Sequence, residues 1–277
     1  MIEVNPQKNE IELMPVLFVP HGGGPMPLLG EANHRELTAF MQAVSADLPL
    51  PKAILVITAH WEEAVATISS APAPGMLYDY YGFPPETYTF NYPAAGNPEL
   101  AQTIAGLLEE AGIKSQLDSK RDFDHGTFVP LMLMYPQADI PVVQLSLLKN
   151  LNPAAHIALG EALAPLREQG VLIVGSGMSF HNMQAFFSAN PTTKGRSEQF
   201  DCWLTETLIS AELSVTEKTA RLVAWQAAPE ARFCHPREEH LLPLHVCFGA
   251  GSQASPTAAK IFSGFLFNTK ISAFLWS

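Results

Sequence analysis

Basic residues are scarce in this chain: 16 Lys plus Arg stand against 27 Asp plus Glu over 277 residues, a formal charge of −11. A surface of that sign repels a phosphate backbone, so a nucleic-acid partner is not expected. A local pocket can still differ in sign from the whole. Cysteine is sparse as well. Cys202, Cys234 and Cys247 form no CxxC or other metal spacing, and an odd three in a chain of this size read as reduced thiols of a cytoplasmic protein. No apolar run approaches the roughly 20 residues that a bilayer needs. The opening MIEVNPQKNEIELMP is polar and acidic, so a signal peptide is not expected either. Internal repeats, linkers and low-complexity segments are missing.

What is present is core. Hydrophobic residues make up 47% of the chain and charged ones only 16%, which suits a folded α/β chain rather than a disordered one. Residues 53–62, AILVITAHWE, begin as a continuous apolar, β-branched run and end in His60-Trp61-Glu62. Such a run fits a strand buried on both faces, as in a parallel sheet. Residues 15–20, PVLFVP, repeat the design and hand over to His21-Gly22-Gly23-Gly24. Further strands are expected at 67–70, 113–117, 140–147 and 171–174, with two closing strands, 261–267 and 271–276, at the sheet edge. Helical spacing marks 33–46, 98–111, 128–135, 154–168, 200–212 and 218–226. Strands and helices alternate, so we expect one α/β domain over residues 1–277, with 1–13 a poorly ordered tail. Residues 71–98, rich in Pro, Gly and aromatics, are longer than most loops; they read as a lid or substrate wall, or as a surface excursion packed on its own tyrosines.

Nine histidines carry the chemistry. Any one alone is more often a surface or satisfied core residue. Position changes the odds: His21, His60 and His181 each follow a hydrophobic strand, and His125 stands just before a helix. Ends of parallel strands meet on one side of a sheet, where ligands bind. Neutral imidazole suits Zn and Fe, and two or three N/O donors leave open positions for chemistry. His34 and His156 fall on expected helix surfaces and are left without a role. His235, His240 and His245 are spaced by five, roughly 140° apart around a helix, so at most one of them belongs to a shared site. Glu238 and Glu239 beside His240 read either as carboxylates supporting a metal or as solvated helix-start charges.

The triple glycine has a rival reading, because HGGG after a strand builds the oxyanion hole of some esterases. Their G-x-S-x-G is absent, with GSGMS (residues 175–179) the nearest approach. A dinucleotide-binding G-x-G-x-x-G is absent too.

Taken in order, FVPHGGGPM, AILVITAHW, YDYYGFPPETYTFNYPAAGNPELA, FDHGTFVPLMLMYPQADIPVVQLSL, GSGMSFHNM and EEHLLPLHVCFGA resemble the class III extradiol ring-cleavage dioxygenases, the LigB superfamily, in its single-chain DOPA 4,5-dioxygenase-like branch. The resemblance implies a three-layer α/β/α sandwich around a largely parallel or mixed sheet. It also implies a non-haem Fe(II) enzyme that opens a catecholic, DOPA-like or related, ring with O2; Zn(II), which binds such sites tightly in the Irving–Williams order, is the ion expected in purified protein. On matching positions His21, His60 and His240 would be metal ligands. His181 would be a fourth ligand or the acid/base, and His125 a second catalytic histidine. We assign the base to His181 and the oxygen-side proton donor to His125, and expect Tyr80, Tyr81 and Phe83 to flank the ring. Three departures stand out. HGGGP carries one glycine more than the usual HGSP, Tyr78 replaces a histidine, and HNMQ (181–184) replaces HNLR. The expected partners are a small aromatic substrate and O2, with no nucleic acid or membrane; a dimer is left open. A non-catalytic binding member and a Zn hydrolase on the same ligands are the alternatives.

Overall fold

The computed structural model describes residues 13–188 and 190–277. The tail expected at 1–13 lies outside the described residues, apart from Leu13. In chain order the elements are β1 (Val16–Pro20), α1 (Arg35–Val44), β2 (Ala53–Glu63), β3 (Ala66–Ser69), α2 (Pro98–Glu110), β4 (Ser115–Asp118), α3 (His125–Met134), β5 (Val142–Leu148), α4 (Pro153–Leu163) and β6 (Val171–Gly177). After them come α5 (Met183–Phe186), α6 (Thr192–Ile209), α7 (Val215–Val223), α8 (Ala231–Cys234), α9 (Leu242–Ser252), β7 (Ala259–Leu266) and β8 (Thr269–Trp276). The strands form one sheet in the order β4-β3-β5-β2-β6-β1-β8-β7. It is mixed: β1, β2, β5 and β6 run parallel to one another, whereas β8 pairs antiparallel with β1 and β7.

The central strands are largely apolar because both of their faces are covered. Ser176 bonds to the Gly126 carbonyl of α3, whereas a Cβ on neighbouring Gly175 would collide with Pro243 and Cys247 of α9. Successive strand residues point to opposite faces, so α3 and α9 lie on opposite sides and the architecture has three layers. Both helices are buried almost all round, which is why their sequences show no polar stripe. Among the described residues, no helix is long and apolar enough to cross a membrane.

Several expectations shift. His60 lies inside β2, not past its end. Between Ile57 and Glu62 the register to β5 slips, five residues on β2 spanning two on β5 (Leu145 to Leu147). Such an irregularity re-aims side chains. β4 starts at Ser115 because Ile113 is used to end α2: its N–H donates to the Leu108 carbonyl at 2.8 Å, past Gly112 at φ 72. α6 begins at Thr192, eight residues before the expected 200. Its first turns bury the hydroxyls of Thr193 and Ser197 instead of apolar side chains, so hydrophobic spacing does not reveal them. β6 runs on through Gly175-Ser176-Gly177, because it pairs with β1 on one side and β2 on the other.

His34 and His156 are not on helix surfaces; both are fully buried. His34 Nε2 accepts from Gly23 N–H at 3.0 Å while its Nδ1–H donates to Glu31 at 2.7 Å, which fixes the glycine loop after His21. In that loop Gly22 and Gly24 have φ of 83 and 55, a region that favours glycine. His156 accepts from Leu148 N–H at 3.1 Å and donates to the Asn152 carbonyl at 2.8 Å, a pattern that only the neutral ring can make.

Burial lowers the His156 pKa to about 4. The unfolded chain therefore binds more protons than the fold between pH 6.5 and 4. The stability this residue contributes is complete above 6.5, lost as pH falls to about 4, and amounts to about 3 kcal/mol at most. Urea unfolding at pH 4.5, 5.5 and 7 should show a shallower acid limb in His156→Gln than in the wild type. An unchanged limb would assign that proton uptake elsewhere.

Candidate metal centre and the cavity beside it

Three adjacent strands, β2, β6 and β1, end on one side of the sheet, and that edge collects the histidines. His21 follows β1 directly, and its N–H is held by the Gly177 carbonyl at 3.1 Å. His60 is delivered by the irregular end of β2. His240 comes from the turn before α9. That turn lies on β6, where Met178 N–H donates to the His240 carbonyl at 2.8 Å and a Cβ on Gly177 would overlap the same carbonyl. The two glycines of GSGMS thus let the turn approach.

Donor atoms of His21, His60 and His240 all lie within 4.8 Å of one another. The Ser176 hydroxyl donates to the Gly126 carbonyl, so it can only accept from His21 Nδ1–H at 3.1 Å, leaving the His21 Nε2 lone pair free. That lone pair faces His60 Nε2 at 3.1 Å. His60 turns Nδ1 toward Asp79, 3.6 Å away, and His240 donates Nδ1–H to Glu239 at 3.0 Å. His21 and His240 are therefore held at Nδ1 by hydrogen bonds to oxygen, as metal-ligating histidines are, while Asp79 stands near His60 without bonding it. Two nitrogens 3.1 Å apart also match neighbours on one ion with bonds of about 2.0–2.1 Å. The donor set fits a divalent ion.

Burial first, then the neighbouring imidazoles, hold the pKa values of His21 and His240 well below the usual value. Burial and His125 do the same for His60, against the pull of Asp79. All three are neutral at pH 7, the state a metal requires.

His125 and His181 complete the group. Asp124 caps α3 by accepting from Thr127 N–H at 3.1 Å, and it is held by Thr58 at 2.8 Å and Arg121 at 2.6 Å. His125 is thereby fixed as the first helical residue, its ring 3.9 Å from that of His60. Asp79 accepts from His125 at both its backbone N–H (3.1 Å) and Nδ1 (2.7 Å). Burial pushes the Asp79 carboxyl up, but the bond from His125 and the charges of His125 and His60 outweigh it and bring it to about 2. His181 follows β6 and stacks on His240 with centroids 3.4 Å apart. Its Nδ1 lies 3.4 Å from the Glu239 oxygen that also serves His240. Burial raises Glu239, but His181, its own backbone N–H and Arg237 together lower it by more, so it stays a carboxylate.

All five expected histidines line one cavity of about 350 Å³, together with Tyr80, Tyr81 and Phe83. The loop 71–98 thus supplies part of its wall. The Tyr80 hydroxyl donates to the Thr87 carbonyl, and burial pushes its pKa up to about 12. His235 and His245 lie elsewhere, buried against the backbone carbonyls of Ser179 and Leu222. Glu238 is bound to Arg232 at 2.6 Å and takes no part. Asp79 and Ser176 are missing from the sequence reading. A lone acid inside the aromatic run YDYYGF was the available signal for Asp79; Ser176 left none.

Glu239→Gln should weaken metal binding about 10–100-fold, because the amide serves two imidazole N–H groups less well than a carboxylate does. Chelator competition reads this directly, and an unchanged constant would remove Glu239 from the site.

The model of the family described as "Catalytic LigB subunit of aromatic ring-opening dioxygenase" matches residues 16–273. The dioxygenase TasH of Hapsidospora irregularis is 40% identical over 256 residues, 87% of this chain and 79% of that one. A 4,5-DOPA dioxygenase extradiol from Beta vulgaris is 38% identical over 89% of this chain and 90% of its own. Its namesake from Escherichia coli K12 is 34% identical over 90% and 89%. Among solved structures, an uncharacterized E. coli K12 protein, JW3007, superposes with a TM-score of 0.74 at 30% identity, covering 95% of this chain and all of that one.

Proposed function

The chain belongs to the LigB family of aromatic ring-opening dioxygenases, and from that premise we propose that it opens a catecholic ring at a centre held by His21, His60 and His240. It is a metal-dependent extradiol dioxygenase. Fe(II) is the ion we assign to the working enzyme, and Zn(II) the ion expected to displace it on purification, in line with the Irving–Williams order. When bound, Fe(II) supplies the redox chemistry that lets O2 attack the ring.

The residues of the chain manage protons and place. His181, beside Glu239 and facing the cavity, takes a proton from a catechol hydroxyl as the ring seats. His125 is held at Nδ1 by Asp79, so its Nε2 is the atom left to exchange a proton with the oxygen side of the reaction, giving one up only after it has taken one on. Tyr80, with its pKa pushed up and its hydroxyl already committed, is unsuited to act as the base. Tyr80, Tyr81 and Phe83 flank the ring. The single eight-stranded sheet supports one catalytic domain. The three free cysteines are consistent with a reducing compartment such as the cytoplasm.

The observation that carries this reading is the convergence of three neutral imidazoles, two of them hydrogen-bonded at Nδ1, on the wall of one largely apolar cavity. After anaerobic loading with Fe(II), the protein should consume O2 and form a yellow muconic-semialdehyde-type product from catechols, while the Zn-loaded protein stays silent. Metal-replete protein inert across catechols and aminophenols would refute the activity. Turnover restored by Zn alone would point to hydrolysis instead.

A further inference from the structure

We infer that the ring taken by this site carries an uncharged, apolar substituent and not a carboxylate or amino-acid side chain, an inference that rests on the dioxygenase reading above. The cavity wall carries five histidines, whose rings cluster together, and two tyrosines, Tyr80 and Tyr81. The rest of the wall is Met26, Phe83, Met183, Phe186, Phe187 and Phe267 with their neighbours, and no described lining residue is Lys, Arg, Asp or Glu. Two cations near the histidines are committed. Arg121 binds Asp124 at 2.6 Å and lies over the Trp61 ring, and Arg237 holds both oxygens of Glu62 at 2.5 and 2.6 Å. Tyr78 and Gln184, which replace the polar residues expected by resemblance, do not line the cavity. Tyr78 donates to the Phe90 carbonyl at 2.7 Å, and Gln184 is exposed.

A carboxylate on the ring would therefore find no cation among the lining residues, and one held inside the cavity would lose water without that return. An alkyl group would instead cover side chains that now face solvent. Tyr81, Phe187 and Met183 are 91%, 65% and 55% exposed at the cavity rim, and exposed apolar groups gathered at a pocket mouth mark a binding edge. Methionine and phenylalanine adapt to the length of such a chain. A volume of about 350 Å³ is near the small end of ligand pockets, about 300–1,000 Å³. It suits one ring with a short tail.

The test compares 4-methyl-, 4-ethyl- and 4-butylcatechol with 3,4-dihydroxyphenylpropionate and DOPA. Fe(II)-loaded protein is read by O2 uptake, and Zn-loaded protein, with its redox-inactive ion, by calorimetric binding. The alkyl series should gain about fourfold per methylene, and the charged compounds should fall at least about tenfold below butylcatechol. Phe187→Arg, an exchange at an exposed rim position, should move the propionate-to-butyl ratio about tenfold toward propionate. A charged catechol that binds or reacts as well as the butyl compound overturns the inference and leaves the dioxygenase intact. Alkyl preference in binding without any O2 uptake leaves the inference standing and removes the dioxygenase reading. Failure of every compound to bind overturns both.

Discussion

His125→Ala is expected to bind metal at the wild-type ratio and to lose about 10²–10⁴-fold in kcat, the range that a positioned acid or base supplies. Three other imidazoles already offer donor atoms to a common point, so the ion does not need His125. Its Nδ1 is taken by Asp79 at 2.7 Å, and the ring edge left over faces the cavity. His60, Asp79 and His125 also lie close enough together to hold an ion among themselves, and the variant distinguishes the two arrangements. Retained metal with lost turnover makes His125 a proton carrier; loss of metal makes it a ligand. Asp79→Asn gives a graded version, because the amide still accepts from Nδ1–H but no longer as a carboxylate. It should lower kcat by less than His125→Ala does while leaving metal content unchanged, and an unchanged kcat would make the contact merely structural.

His60→Ala is expected to abolish stoichiometric metal binding, a loss on the order of 10³-fold or more in affinity and beyond the 10–100-fold that supporting residues control. Its Nε2 lies 3.1 Å from that of His21, so removing it opens the donor triangle on the side closest to a second ligand. The His60 side chain is only partly buried, and the strand that carries it is held on both sides by β5 and β6. The fold should survive. Elemental analysis of the variant checks the loss. A second readout is the thermal midpoint, which added Zn or Fe should raise in the wild type but not in His60→Ala, because an ion stabilises only the state that binds it. Metal content equal to that of the wild type would exclude His60 as a ligand.

These expectations rest on residues that differ greatly in how visible they are from the sequence. β1, β2, β5 and β6 announce themselves, because a strand covered on both faces is largely apolar; short β-branched runs such as AILVITA and VLIV fit that burial. Parallel order then puts the ends of β1, β2 and β6 side by side, so the meeting of His21, His60 and His181 follows from the pattern alone. His240 is harder to see. It sits in a turn whose nearness to β6 depends on Gly177 having no Cβ, and spacing could only restrict its trio to one candidate.

Where apolar periodicity is lacking, the sequence falls silent. The start of α6 buries hydroxyls, β4 gives up Ile113 to the end of α2, and His34 and His156 are buried because backbone groups, not apolar neighbours, pair with them. By itself, then, the sequence indicated the class of fold and the side of the sheet on which His21, His60 and His181 would gather, whereas His240 entered the site only through the resemblance. Those features depend on the alternation and burial of single strands, which are local. Only the tertiary structure decided which ring atom faces the centre, that Asp79 and Ser176 hold His125 and His21, and that no described residue lining the cavity is Lys, Arg, Asp or Glu. Hydrogen bonds at Nδ1 join residues 46 and 155 positions apart, and no periodicity in a chain encodes a contact that the closing of the fold alone creates.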